Sequence, residues 1–317
     1  MNCLCCGKPL QPAEEASGWH RRCIKKFFGT ETLPRIKLNG EVLARLTAET
    51  TGRGYTVPGV QKKLPLHLEK ERGGSRLTLV NFPTGYILKP QVEHFRALPE
   101  AEQLVMQMAD ASHIFTVPHA LIRGENGYSY ITRRIDRVFH KDGTELLAME
   151  DFCQLDLRLT QDKYRSSYER CAKVIDRYSC RSQLDLTEMY LRLVFSFLIG
   201  NSDMHLKNFS LIEMVPGSGR YTLSPAYDLL PVNVIMPEDS EELALSLNGK
   251  KAHLRRKDFL LFSRRCGIDR LAAEKMMDRL LGQREQYLAM CRDSLLPQDM
   301  KEQLAELIRE RTERLTK

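Results

Sequence analysis

Residues 200–210 read Gly-Asn-Ser-Asp-Met-His-Leu-Lys-Asn-Phe-Ser, a polar stretch that follows an apolar segment. That segment, 189–199, has almost no polar face, which predicts a buried helix. Gly200 is the residue type that commonly ends such a helix, and a strand is predicted at 209–212. Packing explains poorly why a buried helix should deliver an aspartate, a histidine, a lysine and an asparagine into one loop. We therefore expect the loop to be functional.

The spacing within this loop indicates phosphotransferase chemistry. Asp203-x-x-x-x-Asn208 is the spacing that protein kinases use between their catalytic aspartate and a metal-binding asparagine. After a predicted hairpin that turns at 216–219, Asp228 occupies the place of the second metal carboxylate. Phosphoryl transfer needs little covalent help, so a hydroxyl-positioning carboxylate and two metal ligands are the groups that the protein must supply.

Composition restricts the class of protein. The chain has 317 residues, of which 42% are hydrophobic and 28% charged, as in an ordinary soluble protein with room for two lobes. A net charge of +7 without a concentrated basic stripe gives little reason to expect direct nucleic-acid binding. No apolar run reaches the roughly 18–20 residues of a membrane span. The start lacks a signal-peptide pattern, and nine cysteines, an odd number, fit a reducing compartment, so we expect a cytoplasmic protein.

Residues 1–30 are predicted to form a small unit of their own. A Cys-x-x-Cys pair followed by His-x-x-Cys has the ligand spacing of a zinc knuckle. The candidate zinc ligands are Cys3, Cys6, His20 and Cys23. The alternative is a group of free thiols on an N-terminal arm, and the spacing alone leaves both open. Cys5 adds a further candidate ligand.

Residues 31–136 are predicted to form an antiparallel sheet with a glycine-containing loop. The loop, 56–63, reads Thr-Val-Pro-Gly-Val-Gln-Lys-Lys and can present backbone N–H groups and lysine charges to phosphates, although such a loop is more often only a turn. Lys89 ends a later strand. In kinases the next helix, predicted here at 99–111, supplies a glutamate that pairs with this lysine, and Glu102 is the candidate.

Residues 137–317 are predicted to form a mainly helical region that carries the loop and Asp228. The hinge between the two lobes is expected in the charged run 133–137. The chain is expected to be helical from about 147 to 199, and the tail from 257 repeats apolar residues at helical spacing.

Five segments, taken together, resemble the HipA family of serine/threonine kinase toxins from bacterial toxin–antitoxin systems. They are 56–63, 86–90 (Tyr-Ile-Leu-Lys-Pro), 134–137 (Arg-Ile-Asp-Arg), 200–210 and 225–228 (Pro-Ala-Tyr-Asp). They follow the family's order over roughly residues 50–290. The resemblance implies an α+β, two-lobed, protein-kinase-like fold with a mostly antiparallel sheet in the N-lobe and a helical C-lobe. It also implies ATP and Mg²⁺ as cofactors.

The resemblance implies roles for individual residues. Asp203 looks like the catalytic base that accepts the substrate hydroxyl proton, Asn208 and Asp228 look like magnesium ligands, and Lys89 would hold the ATP phosphates. Arg133, Arg134 and Ile135 would lie along the adenine. The other residues expected to contact ATP are Pro58, Gly59, Val60, Gln61, Lys62, Lys63, His205, Lys207 and Tyr227.

The resemblance also implies a substrate and partners. The expected substrate is an aminoacyl-tRNA synthetase, of the glutamyl or tryptophanyl type, with growth arrest when no antitoxin is present. Long members carry an additional N-terminal subdomain. Because this chain starts with the cysteine unit, it resembles the short, HipT-like toxins, in which a small antitoxin protein replaces that subdomain beside a DNA-binding partner. Thr56 stands where many relatives phosphorylate a serine of their own, so autophosphorylation at Thr56 is a hypothesis.

Two other functions stay open at this stage. The first is a catalytically weak, kinase-fold regulatory or nucleic-acid-associated binding protein. It is disfavoured because Lys89, Asp203, Asn208 and Asp228 are all present, where a pseudokinase typically loses one. The second is a small-molecule kinase on the same scaffold, since substrate choice depends on surface contacts that spacing does not reveal.

Overall fold

The computed structural model describes residues 1–36, 63–71, 74–78, 84–124, 127–140 and 143–317. Contacts divide the chain into two units. The first consists of Met1–Gln103 and Val117–Arg137, and the second of Leu104–Thr116 and Val138–Lys317.

An antiparallel sheet is the centre of the first unit. Its five strands are β1 (Leu64–Glu71), β2 (Gly74–Thr78), β3 (Tyr86–Pro90), β4 (His119–Gly124) and β5 (Gly127–Arg133). They lie in the order β2-β1-β3-β5-β4, with every neighbouring pair antiparallel. Leu88 of β3 lies opposite Leu64 on one side and Ile131 on the other, and all three side chains are buried. This apolar row forms part of the core of the unit.

The N-terminal residues pack on this sheet through aromatic side chains. Helix α1 (Arg21–Phe28) places Phe27 against Tyr86 of β3, with ring centroids 5.9 Å apart. Trp19 is fully buried, and its Nε1–H donates to the Leu121 carbonyl of β4 over 3.2 Å. Because the single tryptophan and its neighbours are buried against strands, the N-terminal residues belong to the same unit as the sheet.

Helix α2 (Leu98–Ala111) follows β3 and has residues in both units. Its residues through Gln103 belong to the first unit, and those from Leu104 onward belong to the second. The predicted helix at 99–111 is confirmed to within one residue.

The remaining strands described form a two-stranded ribbon and a three-stranded sheet. They are β6 (Arg137–Phe139), β7 (Thr144–Leu146), β8 (Met149–Asp151), β9 (Ser210–Glu213) and β10 (Tyr221–Leu223). The ribbon pairs β6 with β7, and the sheet has the order β10-β9-β8. The helical prediction from residue 147 is wrong at β8, where Glu150 lies opposite Leu211 of β9. This distant pairing outweighs the local preference of the segment.

Helices make up most of the second unit. After α2 they are α3 (Phe152–Leu155), α4 (Tyr168–Tyr178), α5 (Ser182–Leu198), α6 (Val232–Ile235), α7 (Arg256–Arg265), α8 (Arg270–Leu281), α9 (Arg284–Asp293) and α10 (Gln298–Thr316). The predicted buried helix is α5, in which every residue from Met189 to Leu198 is buried. Gly200 follows it with a left-handed φ of 75°, as a helix-terminating glycine does. Within the described ranges, no helix has both the length and the apolar character that crossing a membrane requires.

Candidate active site

The loop between α5 and β9 is held in shape by its own polar groups. Asn208 Nδ2 donates to the Asp203 carbonyl over 2.7 Å, and the His205 N–H donates to the same carbonyl over 2.8 Å. Beneath the loop, the hydroxyl of the buried Tyr168 donates to the Met204 carbonyl over 3.0 Å. The predicted catalytic residues Asp203 and Asn208 are therefore joined in one closed turn, which limits the conformations that the loop can adopt.

The β9–β10 hairpin returns the chain to the end of the sheet at which the loop enters β9. Antiparallel strands bring the residues before the first strand and after the second to one edge, and the Ser224 N–H donates to the Ser210 carbonyl there over 2.8 Å. Asn208 lies just before this edge and Asp228 just after it. Asp228 has a left-handed φ of 59°, a conformation that disfavours non-glycine residues by about 1–3 kcal/mol and is concentrated at functional sites.

Tyr227 connects the hairpin to the loop. Its hydroxyl oxygen lies 2.5 Å from Ser210 Oγ and donates to the Lys207 carbonyl over 3.2 Å. Burial raises the pKa of Tyr227, so the phenol stays protonated and remains a donor. The hydroxyl of this predicted nucleotide-binding residue is thus engaged within the protein, next to Asp228.

The electrostatic environment of Asp203, the single carboxylate in the loop 200–210, shifts its pKa. Burial raises its pKa, and the negative charges of Asp228 and Asp239 act in the same direction. A hydrogen bond from Tyr164 and the positive charge of Lys163 oppose the rise without cancelling it. The pKa of Asp203 therefore lies above its ordinary value, which suits a group that has to accept a proton.

The donor set fits a magnesium ion. Mg²⁺ prefers oxygen ligands, and the hairpin edge offers the Asp228 carboxylate and the Asn208 amide. The amide nitrogen of Asn208 is bonded to the Asp203 carbonyl, so its Oδ1 is the atom that a metal would take. The repulsion between Asp203 and Asp228 is what a divalent cation would relieve.

Neighbouring residues hold the lysine and the histidine of the loop in place. Lys207 Nζ donates to Oδ2 of Asp151, the last residue of β8, over 2.5 Å. His205 Nε2 lies 4.0 Å from Asp203 Oδ1, and its ring packs edge-on against Tyr164 with centroids 5.0 Å apart. Both side chains therefore help to shape the loop around Asp203, and Lys207 also links it to the sheet.

Tyr164 and Asp151 are functional candidates that the sequence analysis did not find. The Tyr164 hydroxyl donates to Asp203 Oδ1 over 2.5 Å although the two residues are separated by 39 positions, and Asp151 and Lys207 are separated by 56. Neither residue belongs to a motif, and no spacing connects either one to the loop. Only the packing of the second unit reveals them.

In the first unit, Lys89 forms a buried ion pair. Its Nζ donates to Glu102 Oε1 over 2.6 Å, and the two side chains are 5% and 0% exposed. The ammonium also lies 5.2 Å from the centroid of the Tyr130 ring on the neighbouring strand. Charges this deeply buried have to be paired, and a lysine on a strand paired with a helix glutamate is the arrangement that kinases use for ATP phosphates. The glutamate proposed from sequence is therefore the partner that the structure brings to Lys89.

The residues predicted to lie along the adenine lie at the end of β5 and directly after it. Arg133 ends β5, and the Arg134 N–H donates to the Gly85 carbonyl over 2.8 Å. The Arg134 guanidinium binds Asp136 through two bonds of 3.0 and 2.6 Å. Burial favours the neutral acid, but the hydrogen bond and charge of Arg134 lower the pKa of Asp136. Arg134 is thus committed to an ion pair, and Ile135 between them is half-buried.

Residues 55–287 match the family model of the HipA-like C-terminal domain. The chain belongs to the HipA-like C-terminal domain family. The resemblance seen in the sequence is thereby confirmed at the level of the family.

Curated relatives of this HipA-like chain are named as presumed kinases. Y4mE of Sinorhizobium fredii is 30% identical over 232 residues, which cover 70% of this chain and 53% of that protein. A Haemophilus influenzae protein is 25% identical over 324 residues, which cover 92% and 90%. A second S. fredii protein, Y4dM, is 33% identical over 218 residues, 63% of this chain and 51% of that protein. The chain therefore spans about half the length of the two S. fredii relatives.

Solved structures share the fold. A chain of the Shewanella oneidensis MR-1 HipA–HipB toxin–antitoxin complex with operator DNA matches with a TM-score of 0.72 and 17% identity, over 90% of this chain and 73% of that one. The Helicobacter pylori proinflammatory kinase CtkA matches with a TM-score of 0.53 and 14% identity, over 74% and 86%. These matches confirm the predicted α+β, protein-kinase-like fold.

The glycine-containing loop falls largely outside the described residues. Thr56 and residues 58–62 lie there, and so do the phosphate contacts predicted for them. Lys63 is described and is half-buried immediately before β1.

The predicted zinc ligands converge in the first unit. One ligand atom from each of Cys3, Cys6, His20 and Cys23 lies within 4.8 Å of the other three. Cys6 is half-buried and the other three are buried. The thiol of the neighbouring Cys5 lies 3.9 Å from the His119 carbonyl and also hydrogen-bonds Cys23, but Cys5 is not one of the four residues whose ligand atoms all lie within 4.8 Å of one another.

Proposed function

We propose that this chain is an ATP-dependent serine/threonine protein kinase of the HipA type. One observation carries the proposal: Asn208 is bonded to the Asp203 backbone in a closed loop, and Asp228 lies at the adjoining hairpin edge in a strained conformation. Membership of the HipA-like family supports it. ATP and Mg²⁺ are the proposed cofactors of this function.

Asp203 is assigned the proton-accepting role. Its raised pKa brings the carboxylate closer to the basicity that proton transfer requires at neutral pH. Because Tyr164 donates to Oδ1, the substrate hydroxyl is assigned to Oδ2. Burial and the Asp203 carboxylate raise the pKa of Tyr164, so this phenol keeps its hydrogen and holds the carboxylate in place.

The remaining groups are assigned to the phosphates and the metal. Asn208 Oδ1 and the Asp228 carboxylate would hold Mg²⁺, which neutralises phosphate charge when bound. The Lys89 ammonium, oriented by Glu102, would contact the ATP phosphates. The loop at 58–63 and the segment at 133–135 are assigned to nucleotide binding from their sequence positions and the family resemblance.

The biological role proposed is that of a toxin in a bacterial toxin–antitoxin system. The family supports it, and the matched Shewanella structure is a toxin–antitoxin complex of HipA with HipB and DNA. An aminoacyl-tRNA synthetase of the glutamyl or tryptophanyl type is the proposed substrate. A small antitoxin protein and a DNA-binding protein are the proposed partners. Autophosphorylation at Thr56 is proposed from its place in the sequence.

A comparison in growing bacteria tests the proposal. The wild-type chain, Asp203→Asn and the control Asp176→Asn, which changes an exposed aspartate on α4, are expressed from one inducible promoter. We expect growth arrest and a new phosphosite on a synthetase with the wild type and the control, and neither with Asp203→Asn. Phosphosites found on another protein would overturn the synthetase assignment but keep the kinase. Equal growth and identical phosphosites in all three strains, with ATP turnover absent from the purified proteins, would overturn the kinase.

A further inference from the structure

The cluster of cysteines and a histidine near the N-terminus makes no direct contribution to the proposed phosphoryl transfer. We propose that Cys3, Cys6, His20 and Cys23 bind one structural Zn²⁺ ion, which anchors the N-terminal residues to β4 and to the helix turn that carries Glu102. Zinc in such a site is tetrahedral, with ligand atoms about 3.5–3.8 Å apart. The atoms of this cluster all lie within 4.8 Å of one another, so a small contraction closes the set around the ion.

The orientation of His20 identifies it as a metal ligand. Its Nδ1 faces the thiols, 3.4 Å from Cys6 Sγ and 3.8 Å from Cys23 Sγ. Its Nε2 lies 2.9 Å from the Pro9 carbonyl, which can only accept a hydrogen. A hydrogen on Nε2 leaves the lone pair on Nδ1, directed at the sulfur atoms. Zinc-binding histidines are held in the same way, with the second ring nitrogen donating to a carbonyl or carboxylate.

The backbone brings the two cysteine pairs together. The Gly7 N–H donates to the Cys3 carbonyl over 2.9 Å, and Gly7 takes a left-handed φ of 69°, which closes the turn around the first pair. The second pair lies at the start of α1, where His20 precedes the helix and Cys23 is in its first turn. The His20 N–H also donates to Cys3 Sγ over 3.4 Å, which links the two pairs.

Free thiols and disulfides account for this arrangement less well. None of the described cysteines forms a disulfide, and the Sγ atoms of Cys3, Cys6 and Cys23 all lie within 4.8 Å of one another and of one ring nitrogen of His20. A divalent ion satisfies three thiolates and an imidazole together, because the metal ligand is the deprotonated sulfur.

The loop between Cys3 and Cys6 is hydrogen-bonded to α2. Gln103 Nε2 donates to the carbonyls of Leu4 and Cys5, over 3.2 and 3.0 Å. Its Oε1 lies 2.8 Å from Nδ1 of His119 on β4. Gln103 follows Glu102, the partner of Lys89. Zinc would therefore fix the loop that holds this turn of the helix in position.

The site is tested first by metal content and by spectra. The full chain, purified under reducing conditions and reconstituted with zinc, should contain one Zn²⁺ per chain. Cobalt substitution should give the intense visible bands of a tetrahedral ion and the near-ultraviolet thiolate-to-cobalt charge transfer. Removal of the metal by a chelator should change the fluorescence of Trp19, the single tryptophan, and added zinc should restore it. Reconstituted wild-type chain without bound zinc or cobalt bands would overturn the proposal.

Variants identify the ligands. Cys6→Ser changes the half-buried ligand, and we expect at least a tenfold weaker zinc affinity. Cys5→Ser, beside the cluster, and Cys180→Ser, an exposed cysteine of the second unit, are the controls and should keep the wild-type affinity. Zinc lost in Cys5→Ser but retained in Cys6→Ser would overturn the ligand assignment.

The effect on Glu102 rests on the proposed kinase function and needs its own readout. We expect removal of zinc from the wild type to weaken binding of an ATP analogue about tenfold and reversibly. If the zinc-loaded chain binds no nucleotide, the kinase proposal fails while the metal site stands. If nucleotide affinity is the same with and without zinc, the anchoring of Glu102 is wrong.

Discussion

At the scale of residues, the pair of Asp203 and Tyr164 is central to the proposed chemistry of the loop. A general base works only in its ionised form, so activity falls as the pH drops through its pKa. Burial and neighbouring carboxylates raise the pKa of Asp203, whereas the hydroxyl of Tyr164 lowers it. In the proposed kinase, Tyr164 would therefore have two effects, since it orients the Asp203 carboxylate and would extend the active pH range towards acid.

Replacement of Tyr164 by phenylalanine separates these effects. The variant loses the donor to Asp203 but keeps the ring that packs on His205. We expect kcat/KM at neutral pH to fall about tenfold, equal to about 1.4 kcal/mol, because a hydrogen bond to a charged acceptor is lost. The pKa of Asp203 rises further, so the acid limb of the pH–rate profile moves to higher pH.

Tyr178→Phe is the matched control because that tyrosine is exposed at the end of α4. Its pH profile should coincide with that of the wild type. An acid limb that stays in place in Tyr164→Phe would contradict the assignment of Asp203 as the titrating base.

At the scale of elements, the end of α5 determines where the loop begins. Gly200 has a φ of 75°, and a Cβ added there would lie 3.1 Å from Leu307 Cδ1 and 3.5 Å from Asn233 Cβ. Helix α10, which carries Leu307, therefore packs directly on the glycine. The left-handed backbone and this close contact both require the absence of a side chain.

Gly200→Ala should lower the free energy of unfolding by more than the backbone term alone. That term is about 1–2 kcal/mol for a left-handed residue, and crowding against Leu307 adds to it. Gly217→Ala, in the β9–β10 turn, is the control, since its φ is 70° but nothing lies within 4 Å of the added Cβ. Denaturant unfolding measures both. Equal losses in the two variants would show that the contact with Leu307 is unimportant.

At the scale of the whole molecule, ligand binding should raise the free energy of unfolding. A ligand that binds only the folded chain stabilises it by about 2.7 kcal/mol at a hundred times its Kd. A non-hydrolysable ATP analogue with Mg²⁺ should therefore raise the apparent Tm of the wild type by several degrees. The part of this rise that depends on Mg²⁺ reports the proposed metal ligands.

Asn208→Ala and Asp228→Ala should each lose the Mg²⁺-dependent rise, because each removes one oxygen ligand. Thermal scans with the analogue, with and without Mg²⁺, measure this, and Asp176→Asn on α4 serves as the control. A full Mg²⁺-dependent rise in both alanine variants would mean that the metal is held by other residues.

Local features of the chain predicted much of the fold. The apolar run before Gly200 predicts α5, and the turn at 216–219 predicts the hairpin that follows the loop. The segment 149–151 is a strand although a helix was predicted there, because its pairing with β9 depends on residues far along the chain. Secondary structure was therefore predictable where neighbours in sequence decide it, and not where a distant strand does.

The sequence by itself determined the family, the loop spacing from Asp203 to Asn208 and the cysteine and histidine pairs, because each is a pattern within a short stretch of chain. Only the tertiary structure decided which groups meet. It paired Lys89 with Glu102, brought Tyr164 to Asp203 and placed the ligand atoms of the N-terminal cluster within 4.8 Å of one another. The physical reason is that hydrogen bonds and ion pairs depend on distances of a few ångströms, and packing sets those distances between residues that are far apart in sequence.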